Sequence, residues 1–417
     1  MTKNTNNPLW TRDFTILTVG SVVSMFGNAL TGFAMSLMVL DLSKSTFLYA
    51  IYIAMYTLPQ LIMPIVSGAF LDRRSRKKMI YTLDFLSSGI YLLLAGLLAT
   101  GWFSFPVFAV FCFIIGSIQS TYFVAYDSFY PLLISDGNYQ KAYSIASVLE
   151  TTSAVMVPVS TFLYHRLGLA PLMAANAVFF FFAAAIETRI GTDEEYIEKQ
   201  KANLIEGAGK IRQMLSDIRE GFAYLGAEKG LLAVAAYFGV LAVTGGASEV
   251  ITLPWFKKSF HNGEYIYMLV WAGALIGRAI GGGIHYRLSI PAKKRYNTAL
   301  AVYLSSAMME AFYLFCPIPM MAFMCFIIGI GGVTSYTIRI SATQSYVPDE
   351  KKGRFNGAFN MLSTLGALVG EMLAGALSTQ WNERIILMSF MLVQVAACLL
   401  IIGGSKKHVE KIYNREQ

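Results

Sequence analysis

Between residues 14 and 403 the sequence returns twelve times to an apolar run close to twenty residues long, with the charges gathered in the short stretches between. About 20 residues at 1.5 Å each is the length an α-helix needs to cross a hydrocarbon core of about 30 Å. Inside that core every backbone amide and carbonyl must be paired within its own segment, so the runs predict helices rather than loops. The expected spans are 14–40, 47–70, 79–100, 104–128, 141–164, 169–190, 231–256, 264–287, 296–315, 319–343, 354–378 and 383–403. The fold class that follows is an all-α membrane protein with twelve transmembrane helices. Hydrophobic residues make up 55% and charged residues 14% of the 417, which excludes an ordinary soluble domain. The first run is too long for a cleavable signal and lacks a small-residue cleavage site, so it is expected to stay as an anchor.

The net charge of +8 raises the question of nucleic acid, and its placement answers it. With the N-terminus inside, the loop after the second span carries Arg73, Arg74, Arg76, Lys77 and Lys78, and later inside loops carry Lys293, Lys294, Arg295, Lys351, Lys352 and Arg354. The outside loops hold only Lys44, Arg166, Lys257, Lys258 and Arg384. Lysine and arginine in short loops set orientation, so both termini are expected in the cytoplasm of a plasma (inner) membrane, with the basic face toward anionic lipid and no nucleic-acid partner. The four cysteines lie in apolar runs without metal-ligand spacing, so neither a disulfide framework nor a metal site is expected. Nothing resembles a phosphate-binding loop, and no cofactor and no enzymatic activity are expected.

One long hydrophilic connection, 191–229, divides the spans into six and six. In it Ile211, Met214, Leu215, Ile218, Phe222 and Leu225 recur at helical spacing, as in an amphipathic helix on the cytoplasmic surface. The pentapeptide CFIIG stands at Cys112–Gly116 and again at Cys325–Gly329, in the fourth span of each half. The landmarks after it also correspond: YPLLISDGNYQKAYS from Tyr130 with YVPDEKKGRFNGAFN from Tyr346. GAFLDRRSRKK (Gly68–Lys78) likewise corresponds to GGIHYRLSIPAKK from Gly282, which has lost the acid. Matched order makes the chain a duplication: a first bundle 1–190, a linker 191–229, a second bundle 230–403 related to the first by pseudo-twofold symmetry, and a tail 404–417. Parallel six-helix repeats point to a transporter with its site where the repeats meet.

GAFLDRRSRKK resembles the G-x-x-x-D-R-x-G-R-K signature of the major facilitator superfamily, with Ser75 in the place of a glycine. The resemblance extends over essentially the whole chain. SMFGNAL (Ser24–Leu30) and DIREGFAYL (Asp217–Leu225) are similar to the branch that holds macrolide-efflux and siderophore-export proteins. The resemblance implies that spans 1, 4, 7 and 10 line a central cavity while 3, 6, 9 and 12 support it from outside. It also implies a gate made of Gly68, Asp72, Arg73 and Arg76 with an acid at the inner end of the fourth span, where Asp127 stands. The glycine- and proline-rich pattern that drug–proton antiporters carry in the fifth span is not matched by SAVMVPVSTFLYHRLG around Pro158, which leaves uniport and symport open beside antiport.

Ionisable side chains in spans are costly and mark function. Glu249 and Glu371, with Glu150 after them, are the candidate proton-coupling acids, and Arg278 and Arg339 the candidate counter-charges or anion contacts. Asn28 on the first span, Gln119, Tyr122 and Tyr126 on the fourth, Thr252 beside Glu249 on the seventh, and Tyr336 beside Arg339 on the tenth fall on single faces by three- and four-residue spacing. They complete the candidate substrate cavity. Ser24 and Thr31 are expected to make interhelical hydrogen bonds, Asp84 and Glu310 to stand on peripheral helices, and Asp41 and Glu187 to reach the membrane interface. With 14% aromatic residues and 20 methionines the walls suit an amphiphilic, drug-like substrate. The expected function is proton-coupled efflux by a monomer. Import or flipping of a lipid, siderophore or nutrient, and a membrane sensor that has kept the fold without transporting, remain open alternatives.

Overall fold

The computed structural model describes residues 8–71, 74–135, 138, 141–142, 145, 156–192, 194, 207–287 and 290–415. Among them the regular structure is entirely helical. The helices are α1 (Arg12–Ser43), α2 (Thr46–Leu71), α3 (Arg76–Ala99), α4 (Phe105–Phe129), α5 (Met156–Leu167), α6 (Leu169–Glu187) and α7 (Gly207–Ala227). They continue as α8 (Lys229–Ser259), α9 (Gly263–Arg287), α10 (Arg295–Phe312), α11 (Ile318–Tyr346), α12 (Asp349–Leu377), α13 (Glu383–Ala397) and α14 (Lys406–Tyr413). Eleven helices among the described residues are long and apolar enough to cross a membrane. Half of the remaining expected span, 141–164, lies outside the described residues, and α5 holds its last part.

The sequence sets where these helices begin and end. Thr11 caps α1 by accepting from the Phe14 amide at 3.3 Å, Ser75 caps α3 by accepting from Lys78 at 3.1 Å, and Asn382 caps α13 by accepting from Arg384 at 2.9 Å. Lys44 closes α1 in the left-handed conformation at φ 48°. Proline lies in the first turn of α4 and of α11, where its missing amide leaves no helical bond unmade.

Contacts divide the chain into two units, Met1–Lys44 with Met55–Arg212, and Ser45–Ala54 with Gln213–Gln417. Each repeats one packing plan. In the first, α6 packs on α1 and α3, α3 on α4, and α1 on α5; in the second, α13 packs on α8 and α10, α10 on α11, and α8 on α12. The duplicated CFIIG has a physical role in this plan. A Cβ on Gly116 would press on the Tyr56 carbonyl of α2, and one on Gly329 would press on the Ala274 carbonyl of α9. In both units the last residue of the pentapeptide lets two helices meet backbone to backbone, the close approach that small residues give membrane helices.

The linker's amphipathic segment forms α7. Gly221 seats it against the Arg354 carbonyl, Leu225 is buried, and Glu220 pairs with Arg354 at 2.7 Å, while Leu215 and Phe222 stay exposed. The C-terminal segment read as a tail is in part a docked helix. Val409, Ile412 and Tyr413 of α14 are buried in the second unit's core, the Tyr413 and Tyr303 hydroxyls share a hydrogen bond at 3.0 Å, and Asn414 accepts from the Tyr296 amide at 2.9 Å.

Candidate functional site

Inside the first unit α1, α3 and α4, with Tyr56 of α2 and Phe180 of α6, enclose a cavity of about 300 Å³. Helical periodicity builds its walls. Ser24 and Asn28 are one turn apart on α1, Asp84, Ser87 and Tyr91 share a face of α3, and Ile115, Gln119 and Tyr122 share a face of α4. Three of the expected cavity residues, Asn28, Gln119 and Tyr122, therefore meet in one space. Tyr126 does not line it but continues the wall toward the helix end. Its ring stacks on Tyr122 at 6.0 Å and on Tyr130 at 5.2 Å.

The polar groups hold one another in place. Ser24 Oγ donates to Asp84 Oδ2 at 3.1 Å, the Tyr91 hydroxyl donates to Asn28 Oδ1 at 3.4 Å, and the Tyr56 hydroxyl donates to Gln119 Oε1. The Tyr91 ring lies flat on Phe180 at 5.5 Å. A turn further along α1, Thr31 accepts from Asn176 Nδ2 at 2.9 Å and donates to the Gly27 carbonyl at 3.1 Å, the interhelical role expected of it.

Two acids depart from expectation. Asp84 is not peripheral: its side chain is 1% exposed and its carboxyl edges the cavity. Glu187 does not reach outward. It is also 1% exposed and lies on the bare backbone of Gly20, one turn of α1 from Ser24, which holds Asp84. By contrast Asp41 is exposed near the end of α1 and accepts from the Tyr164 hydroxyl at 2.9 Å.

At the other end of α3 the expected gate is partly described. Gly68 lies in α2, whereas Asp72 and Arg73 lie outside the described residues. Arg76 opens α3 and sends Nη1 to the Ser128 carbonyl at 2.8 Å, beside Asp127 in the last turn of α4. Asp127 is exposed and edges a second cavity of about 310 Å³ with Gln60 and Gln119. A residue the sequence reading did not single out completes this end. Glu194 accepts from the Arg76 amide at 2.7 Å and from the Ser75 hydroxyl, and Lys77 Nζ reaches the Thr192 carbonyl at 2.8 Å. A carboxylate there satisfies free amides at the positive end of the helix.

In the second unit Glu371 is 1% exposed within α12, while Glu249 is exposed on α8. Ser248, next to Glu249, donates to Glu310 at 2.7 Å, so Glu310 faces α8. Thr252 is buried, donates to the Ser248 carbonyl at 2.6 Å and accepts from Tyr313 at 3.2 Å. Arg278 is exposed with its guanidinium 5.9 Å from the Trp271 ring. Arg339 is half-buried between Phe238 and Phe359, 4.8 and 4.6 Å from their ring centres, with the exposed Tyr336 at 5.7 Å. Glu150 lies outside the described residues.

Comparison with known proteins adds to this geometry. The family described as Major Facilitator Superfamily matches residues 17–371. An MFS-type transporter of Bacillus subtilis (strain 168), YkuC, is 23% identical over 296 residues, covering 67% of this chain and 68% of its own. Among solved structures, the nucleoside transporter NupG superposes with a TM-score of 0.67 at 10% identity, covering 95% of this chain and 99% of that one. A variant of the peptide transporter POT in complex with alafosfalin gives 0.70 at 12% identity, covering 96% and 95%. Both are likenesses of fold.

Proposed function

Because the chain belongs to the Major Facilitator Superfamily, we propose that this membrane transporter is a secondary exporter of a small amphiphilic compound, working by alternating access and driven by the proton gradient. The observation that carries the reading is the cavity of about 300 Å³ in the first unit. Its walls are aromatic and aliphatic, and a few polar groups, Asn28, Asp84 and Gln119, converge on it. A small-molecule site has that makeup: an apolar body is accepted broadly while a few polar contacts fix its orientation. The SMFGNAL segment, which contributes Ser24, Met25, Asn28 and Ala29 to the lining, supports the efflux branch.

Gly68, Asp72, Arg73, Arg76 and Asp127 form the inner gate in this reading, and the placing of Arg76 at the end of α4 supports it. In the second unit Glu249, Glu371 and Arg339 with Thr252, Arg278 and Tyr336 supply the corresponding coupling and substrate contacts, and Glu150 is a further candidate acid. The protein works as a monomer in the plasma (inner) membrane with both termini in the cytoplasm. Purified protein in liposomes tests the proposal. Movement of amphiphilic compounds that depends on an imposed pH gradient and is directed outward supports it. Inward movement replaces it with import, and binding without flux replaces it with a sensor.

A further inference from the structure

We propose that Asp84 and Glu187 form a proton site whose proton is displaced by an organic cation entering the adjacent aromatic cavity. The inference deepens the transport reading and rests on it for its physiological role. The sequence gives these acids to two different helices, and the fold brings both to adjacent turns of α1 in the interior of the first unit, Glu187 against Gly20 and Asp84 against Ser24, each 1% exposed. Glu187 has been given its place: a side chain on Gly20 would overlap its carboxyl, so α1 leaves room for that acid alone. Neither Glu187 oxygen has a hydrogen-bond partner by geometry, and the nearby Ser21 and Tyr122 hydroxyls are also buried and unpartnered among the described residues.

The groups facing the pair come from every element packed on it. They are Ser21 and Ser24 from α1 and the Tyr122 and Tyr126 phenols from α4. No lysine, arginine or histidine acts on either carboxyl among the described residues. Two neighbouring buried carboxyls without a cation repel each other when both are ionised, so one proton shared between them is the electrostatically stable arrangement. Asp84 also faces the cavity, whose walls carry the rings of Tyr56, Tyr91, Tyr122, Phe123 and Phe180. Aromatic faces beside a carboxylate are what recognises a quaternary or pyridinium-type cation. The exchange balances: the cation enters, one proton leaves the pair for water, and the site carries a single negative charge before and after.

The test uses the full-length protein in nanodiscs with methylphenylpyridinium as the probe, titrated calorimetrically in two buffers of different ionisation enthalpy. The expected result is proton release approaching one per cation bound and an affinity that rises with pH, by at most about tenfold per unit. Asp84→Asn should weaken binding at least about tenfold. Glu187→Gln should keep binding but lose most of the proton release and pH dependence. Absence of probe binding, or binding without proton release in the unsubstituted protein, overturns the inference and needs no variant to fold. Gradient-driven flux of another compound in liposomes, without probe-linked proton release, sinks this inference and leaves the transport reading standing. Proton-linked binding without any flux does the reverse.

Discussion

The Glu194 carboxylate accepts a hydrogen bond from the backbone amide of Arg76 at 2.7 Å, across 118 residues of sequence. It thereby closes the N-terminus of α3 and ties the segment after α6 to the most basic loop of the chain. Removing a cap of this kind costs about 1 kcal/mol. Glu194→Ala should lower the melting temperature in detergent by a few degrees, and Glu194→Gln, which keeps an acceptor but not the charge at the helix dipole, should lower it less. Equal melting of all three proteins would show the contact to be energetically idle.

Gly20 and Gly27 receive the side chains of Glu187 and Asn176, and a Cβ at either glycine would overlap the polar end of its partner. Gly89, by contrast, has open space where its Cβ would be. Gly20→Ala and Gly27→Ala are therefore expected to destabilise by about 1–3 kcal/mol through overpacking, while Gly89→Ala should be neutral or mildly stabilising. Chemical denaturation of the three variants checks the contrast, and the reverse order would refute the packing.

Arg339 lies between Phe238 and Phe359 at ring distances under 5 Å. A planar guanidinium can stack on two faces at once, which an ammonium cannot. Arg339→Lys keeps the charge and should still lose about 1–2 kcal/mol of stability. If the lysine variant melts with the parent, the stacking contributes nothing and the charge alone matters.

Val409, Ile412 and Tyr413 bury their side chains in the second unit from a helix that lies outside the expected spans. Burial of side chains of this size stabilises by about 1.5–3 kcal/mol each. Ending the chain after Gly404 should therefore reduce the yield of monodisperse protein sharply, whereas Tyr413→Phe, which loses only the hydroxyl bonded to Tyr303, should cost about 1 kcal/mol. Size-exclusion profiles separate the two.

The spans were legible because hydrocarbon imposes a length and a polarity on any helix that crosses it, and those show in single-residue hydropathy. The α1 and α4 faces of the cavity were legible too, since Asn28, Gln119 and Tyr122 follow helical spacing within one segment each. Asp84 stands on a helix that the resemblance makes peripheral, yet it lies on the face of that helix turned to the cavity. Its signal was present, as Asp84, Ser87 and Tyr91 mark one polar face of an otherwise apolar span. Glu187 left no such trace. Its partner is on α3 and its seat on α1, so only the folded chain reveals the pairing. The docking of α14 was hidden by its charges, though Val409, Ile412 and Tyr413 keep a three- and four-residue rhythm.

Gly116 and Gly329 each bring one helix onto the bare carbonyl of another, Tyr56 in the first unit and Ala274 in the second. A duplicated gene drifts wherever its copies are free to do so, and even an added methyl would prise these neighbours apart. The pentapeptide thus survives as a fossil held in place by steric necessity, and its two final letters should be among the last in either half to change.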